Sequence, residues 1–502
     1  MRVKLRVGCA VLALALAALL LRNRRGLSHA ALGAAALLSL AHYLNFGHFH
    51  QPQLPHYWEL FHYALGSRYF PELGYDGLYL ASLAAERESR PGRAPQRELR
   101  DLRNNALVPS ETLRGEEARV RARFSEPRWR AFQRDHGAFL RLVPPEALAQ
   151  FRRDHGYNPS PAWTAVARVA MAGRPLDEAS LRLLASLDLA LLAALFAALA
   201  RCFDLRTALF AALLFGTGYL GRFSWTGGAL LRHDWIAAVG FGACALRRGR
   251  PALAGLCLGY AAAVRLFPAA LFVGPGLVAL RQALAGERPR WALSLALGSA
   301  AALALAFAAG SLQGRGPGAW RELASRMQVY QLSRGRNVVG LDGVVLYGGD
   351  ALSRALRADT AGARWDVARE DVALRRRVRA PLLLAARLGL LALLAAAVWR
   401  ARPEQAVVLS CAAIFALVAP AGYYWSVLCL APVAVGAPLL IGQLALDLGL
   451  HRLHLGVPDR LLHSTLAASG LLVLFVAWLL PPAWRALRTR PRARESSAGA
   501  LR

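Results

Sequence analysis

Residues 247–280 read "RRGRPALAGLCLGYAAAVRLFPAALFVGPGLVAL": a basic turn, an apolar run, one interruption by "RLFP" at 265–268, and a second apolar run. A hydrocarbon core of roughly 30 Å takes about 20 residues of helix, so the apolar block 251–281 is too long for one span. Arg265 stays charged at any working pH, and Pro268 lacks a backbone donor and clashes with the preceding turn. A helix in lipid breaks there. The block therefore reads as two short helices meeting near one membrane face, with the basic turn at the other.

Working outward, similar apolar blocks run over 7–21, 29–45, 183–200, 205–221, 229–246, 291–311, 380–399, 404–421, 424–445 and 462–481. They are continuous stretches rather than stripes of 3.6-residue period, as expected of segments surrounded by lipid. Open sheet edges cannot satisfy their backbone in lipid. The expected fold class is all-α: a polytopic membrane protein of about 12 transmembrane helices with a long first extracytoplasmic loop. Of the 502 residues 56% are hydrophobic and the mean hydropathy is +0.33, in keeping with that class.

The net charge of +30, from 61 Lys+Arg against 31 Asp+Glu, raises the question of nucleic acid. Its distribution answers against it. The clusters "RNRR" at 22, "RRGR" at 247, "RQALAGERPR" at 281 and "WRAR" at 399 flank apolar blocks, where the cytoplasmic face retains positive residues near anionic lipid. No nucleic-acid-binding motif accompanies them. The six cysteines lie within or beside apolar segments, with spacing that makes neither a zinc site nor a disulfide framework. The N-terminal "MRVKLRVGCAVLALALAALLLRNRR" lacks a small-residue cleavage site and reads as a retained span, a cleaved signal being the alternative.

With the four basic clusters inside, the segment 46–182, the turn around 222–234, the "RLFP" tip and the segment 312–379 all face outward. The organisation follows: N-terminal spans at 1–45, an extracytoplasmic region with aromatic ends at 46–182, central helices at 183–311, a second outer loop at 312–379, C-terminal helices at 380–483 and a basic tail at 484–502. Two features go against the charge rule, because "MRVKLR" and the Arg-rich tail would both lie outside. Within the first outer segment, the charge-rich middle at 86–135 reads as a solvated helical excursion and the aromatic ends as parts lying on the membrane.

The candidate chemistry collects on the outer face. In "HYWELFHYALGSRYFPELGYDGLY", 56–79, helical spacing puts His56, Glu59, His62 and Tyr63 on one side. A carboxylate among rings that lower the local dielectric can act as a general base, with an interfacial aromatic belt as the alternative. His48 and His50 bring a divalent metal into consideration, but no strong ligand spacing supports one and no cofactor is indicated. "GRFSWTGGALLRHDW", 221–235, places Arg222, Arg232, His233 and Asp234 at the mouth of a span, to face a cavity or to pin two helices by a salt bridge. Arg265 is the clearest outlier, and its fork of donors suits a phosphate. "GRNVVGLDGVVLYGG", 335–349, offers Arg336, Asn337 and Asp342 among glycines and by itself reads as a turn.

Taken in order, "ELFHYALG", "YNPSPAW", the stretch 247–280, "NVVGL" and "YYW" resemble the GT-C superfamily of membrane glycosyltransferases, most closely its bacterial polyprenyl-phosphate-mannose-dependent branch. The resemblance is scattered over about 57–430. It implies an inverting transferase in the bacterial inner membrane, taking a sugar, mannose in that branch, from a polyprenyl-phosphate carrier to a glycan, lipid or protein acceptor. The base would be Glu59, beside His62 or Tyr63. The phosphate or substrate would be held by Arg265, with Arg222, Arg232, His233, Asp234, Tyr157, Asn158 and Asn337 around it. This sequence departs from the family in having Glu where Asp is usual, "WTGG" in place of a more polar stretch, and a longer first outer loop. The competing classes are a transporter or lipid-linked-sugar flippase, which typically shows internal repeats, and a non-catalytic membrane assembly subunit.

Overall fold

The structure, a computed structural model, describes residues 2–50, 52–91, 96–331, 334–348, 366–367, 369–457 and 460–488. It is overwhelmingly helical, with two antiparallel two-stranded ladders among the described residues. Among the described residues six helices are long and apolar enough to cross a membrane: Val3–Leu20, Glu178–Cys202, Phe267–Leu284, Arg290–Ser311, Asp371–Val398 and Arg460–Arg488. Leu205–Thr217, Pro251–Arg265 and Pro403–Leu417 are apolar but shorter.

The break expected at "RLFP" is present. The helix Pro251–Arg265 ends at Leu266, whose φ of 63° no helix tolerates, and a 3-10 turn, Phe267–Phe272, leads into Val273–Leu284. Pro251–Arg265 lies directly on Arg290–Ser311. A Cβ on Gly255 would sit 2.1 Å from the Leu295 carbonyl oxygen, and one on Gly298 2.1 Å from that of Ala252. These glycines let the two backbones touch, the small-residue packing that joins helices in lipid.

Two expectations are corrected. The apolar block 424–445 is not one helix: a 3-10 helix, Gly422–Val433, turns at Gly436 into the α-helix Ala437–Gly456. Both ends of this excursion reach one face, since the Gly422 N–H donates to the Asn337 carbonyl and His454 Nδ1 lies 2.9 Å from the Tyr219 hydroxyl. Asn337, Tyr219, Lys4 and Arg460 line a single cavity there. The final helix starts at that cavity and runs for 29 residues, about 43 Å at 1.5 Å per residue, so Arg488 is at the opposite face. Lys4 and the start of the last helix thus lie at one end of the structure and Arg488 at the other. Residues 489–502 of the basic tail, and 349–365 of the second outer loop, lie outside the described residues.

The second correction concerns the first outer segment. Its charge-rich middle is a packed unit rather than a solvated excursion. The strands Glu98–Asp101 and Ala106–Pro109 pair with Leu99 opposite Val108, and Trp129, Phe132 and Phe139 of the helix Glu126–Leu142 are fully buried. Ion pairs Arg68–Asp135 (3.0 Å) and Arg128–Glu72 (2.6 Å) tie the helix to the opening stretch. The aromatic ends are core as well. Phe61, Tyr69, Phe70, Tyr79, Tyr157 and Trp163 are buried in protein, which removes the interfacial-belt reading for them.

Candidate functional site

The opening stretch is held against the loop before Asp234 by backbone. The His56 N–H donates to the Gly228 carbonyl at 2.9 Å, and Gly228, at φ 68°, approaches so closely that a Cβ there would be 1.9 Å from the Leu54 oxygen. Only glycine fits this position. The contact sets the short helix Tyr57–Leu60 beside Arg232, and Glu59 forms an ion pair with Arg232. Both side chains are nearly inaccessible, at 14% and 4% exposure. Of the two Glu59 oxygens only Oε2 accepts a hydrogen bond among the described residues, from Arg232 Nη2.

Immediately afterwards the helix widens into a π turn, Phe61–Leu65. This extra residue divides the face that regular spacing would have kept together, a distortion frequent at functional sites. Tyr63 stays with Glu59: the Arg232 guanidinium lies 5.2 Å from its ring, and its hydroxyl donates to Asn158 Oδ1 at 3.1 Å. His62 turns away. Its Nδ1 is 2.7 Å from the Trp58 carbonyl and its Nε2 2.7 Å from the Tyr79 hydroxyl, so both ring nitrogens serve the core of the 56–163 unit. His56 stacks on His50 at 4.5 Å. Among the described residues no three His, Cys, Asp or Glu side chains converge as a metal site.

A second ion pair flanks the first. Arg265 Nη2 is 3.5 Å from Asp234 Oδ1 and donates to the Leu231 carbonyl at 2.9 Å, while its buried Nε has no hydrogen-bond partner. The guanidinium lies 5.5 Å from the Trp163 ring, which in turn packs edge-on against Tyr63 at 5.6 Å. Glu59, Arg232, Tyr63, Trp163 and Arg265 therefore form one continuous cluster, with Tyr423 4.7 Å from Arg232 on its far side. Tyr157 supports it from behind through a 2.6 Å bond to Thr164.

The Glu59 carboxyl is pushed above the ordinary carboxylate range by burial, with the Arg232 charge opposing that shift. Asp154, which accepts from Trp58 Nε1 at 2.7 Å, moves the other way. Burial raises it, but the neighbouring His62 and His155 and its hydrogen bonds outweigh that.

Asp188 is the functional residue the sequence reading missed. It projects from Glu178–Cys202, accepts from the backbone N–H of Arg232 (2.9 Å) and of His233 (3.1 Å), and faces His233 Nδ1 at 3.2 Å. It fixes the turn that aims Arg232. A lone carboxylate inside the apolar block 183–200 was the available signal. Tyr260, donating to Asp234 Oδ2 at 2.8 Å, was missed in the same way.

Two of the predicted residues lie elsewhere. Arg222 and Asn337 line the neighbouring cavity with Tyr219, across the ring contact of Trp225 with Tyr423. The expected single site is thus a cluster and an adjoining cavity. No family model, curated protein or solved structure matches the chain.

Proposed function

We propose that the protein is an integral-membrane glycosyltransferase that moves a sugar from a polyprenyl-phosphate carrier to an acceptor hydroxyl at the extracytoplasmic face of a bacterial inner membrane. The observation that carries this reading is the buried Glu59, one oxygen held by Arg232 and the other making no hydrogen bond among the described residues, in one cluster with Arg265. Glu59 Oε1 takes the proton of the acceptor hydroxyl as that oxygen attacks the anomeric carbon. The bond from that carbon to the phosphate oxygen breaks, its electron pair leaves on the phosphate, and the carbon inverts. Arg265, with an unpaired Nε, neutralises the departing charge. A raised carboxyl pKa suits a base working near neutral pH. On this reading the described residues cross the membrane thirteen times, counting the short helices and both arms of the excursion at 422–456.

The test is transfer from a polyprenyl-phosphate-mannose donor by the purified protein in lipid nanodiscs, read as release of polyprenyl phosphate. Glu59→Gln is expected to lower turnover by about 10²–10⁴-fold while leaving helicity and thermal midpoint near wild type. Undiminished turnover in that variant would remove Glu59 from the chemistry. A flippase for the same lipid is the second reading, favoured by the broken helix at Leu266. It requires that Glu59→Gln protein still translocate the intact lipid-linked sugar.

A further inference from the structure

The helix Gly318–Gln331 turns a polar side toward the 56–163 unit. Gly318, Arg321, Glu322, Ser325, Arg326 and Val329 recur at steps of three and four, so they share one side of it, and they form one wall of a cleft of about 640 Å³. The other wall carries Tyr75, Asp76, Arg103 and Arg123. Ala319 and Leu323, on another side of the helix, are buried and anchor it. A helix side that faces protein is ordinarily apolar and filled by packing. This one instead borders a space within the usual range for ligand sites.

The ion pairs of the cleft leave two cations over. Arg103 is matched by Asp101 (2.9 Å) and Glu116 (3.0 Å), Arg123 by Asp76 (3.5 Å), and Arg315, also on the cleft, by Glu322 (2.8 Å). Arg321 is exposed and makes no ion pair or hydrogen bond among the described residues. Arg326 is only 5% exposed and meets no carboxylate among them. Its Nη1 donates to the Leu102 carbonyl and its Nη2 to the His155 carbonyl at 3.1 Å, while its Nε has no hydrogen-bond partner. A desolvated guanidinium without a counter-ion is costly. An oxyanion beside it neutralises the charge and takes up the spare donor.

The rim selects the rest of the ligand. Arg123 beside Asp76 and Arg315 beside Glu322 present donors and acceptors side by side, which suits hydroxyl groups, because each hydroxyl both donates and accepts. We propose that this cleft binds an acidic saccharide, with its carboxylate or phosphate between Arg321 and Arg326 and its hydroxyls on the flanking pairs. Tyr75 stacks on Tyr157 at 5.9 Å, and Arg326 and Tyr330 both donate to the His155 carbonyl, three residues before Asn158, the partner of Tyr63. The cleft thus backs onto the Glu59 cluster through the segment 155–158. Under the transfer reading the saccharide is the acceptor, but binding does not depend on that reading.

The experiment is calorimetric titration of the full-length protein in phosphatidylcholine nanodiscs at low salt with trigalacturonate, mannose 6-phosphate, neutral maltotriose and inorganic phosphate. Wild type is expected to bind trigalacturonate or mannose 6-phosphate at least about tenfold more tightly than maltotriose or inorganic phosphate, and whichever of the two binds identifies the oxyanion. Arg321→Gln, at an exposed position, should weaken that binding about tenfold through loss of a charge-assisted hydrogen bond, and Arg321→Lys should stay within about threefold of wild type. Ser325→Trp leaves every charge in place and fills the cleft from an exposed position, and should abolish binding. Failure of both acidic sugars, binding of maltotriose or inorganic phosphate as tight as theirs, or unchanged binding in both Arg321→Gln and Ser325→Trp overturns the proposal. Binding is read without turnover, so a protein that binds these sugars yet transfers nothing would refute the transfer reading alone.

Discussion

Replacing Arg232 by Met leaves Glu59 buried without its cation, and the cost of that can be worked out. The pair is largely enclosed, so water substitutes poorly for the guanidinium. Glu59 then escapes by protonating. At pH 7 the free energy of protonating a carboxyl of ordinary pKa about 4.3 is about 3.7 kcal/mol, which caps the electrostatic loss. At pH 5 the same cap is about 1 kcal/mol. The sign follows from linkage. In this variant the folded-state pKa lies above the unfolded one, so stability relative to wild type is greatest below about pH 4.3 and is lost as pH rises, until the folded pKa is passed. For a chain of 502 residues, at about 2.1 cal/mol/K of unfolding entropy per residue, the loss at neutral pH corresponds to a drop in thermal midpoint of about 3–4 °C. The assay is tryptophan fluorescence against temperature in one detergent at several pH values. Glu59→Gln combined with Arg232→Met should recover most of the neutral-pH loss, because no charge is then left buried. Equal destabilisation at pH 5 and pH 7, or a double variant no more stable than the single, would refute the argument.

Three further outcomes are expected. Asp188→Asn keeps one acceptor oxygen but forfeits a charged hydrogen bond to the turn at Arg232, and should cost about 1.5–3 kcal/mol in thermal unfolding while lowering transfer through a misaimed Arg232. Gly255→Val puts a side chain where the Leu295 carbonyl already sits 2.1 Å from an ideal Cβ, so the helices must part, and the thermal midpoint should fall by the equivalent of about 1–3 kcal/mol or more. Single cysteines introduced at Lys4 and Arg488, in a background lacking the native cysteines, should react with an impermeant maleimide from opposite sides of sealed proteoliposomes.

The helical class and the break at 265–268 were legible because lipid imposes them. A charge and a proline inside an apolar run leave few alternatives. The types of residue at the site were legible too, since polar side chains stand out in such a chain. Their pairing was not: Glu59 meets Arg232 across 173 residues, through a backbone contact at Gly228 that no local pattern encodes. The hairpin at 98–109 was hidden because "ELRDLRNNALVP" carries the alternating charges of a solvated helix. Asn104, whose Oδ1 accepts from the Ala106 N–H, and Asn105, at φ 63°, were its turn signals. The excursion at 422–456 was hidden by uniform apolarity, although Pro432, Gly436 and Pro438 punctuate it. Aromatic residues read as a membrane belt proved to be a protein core, since rings with polar tips suit both settings.

The separation of Glu59 from Arg232 also has a meaning in time. A ribosome adding about 5–20 residues per second needs about 10–35 seconds to make the 173 residues between them. During that interval the core around Trp129 can close, while the carboxylate still has no cation. Glu59 waits hydrated and charged at the rim of a half-built protein. It becomes desolvated only when the loop bearing Gly228 arrives, so the last step in making the acid–cation pair is also the step that joins the segment before residue 182 to the helices that follow it.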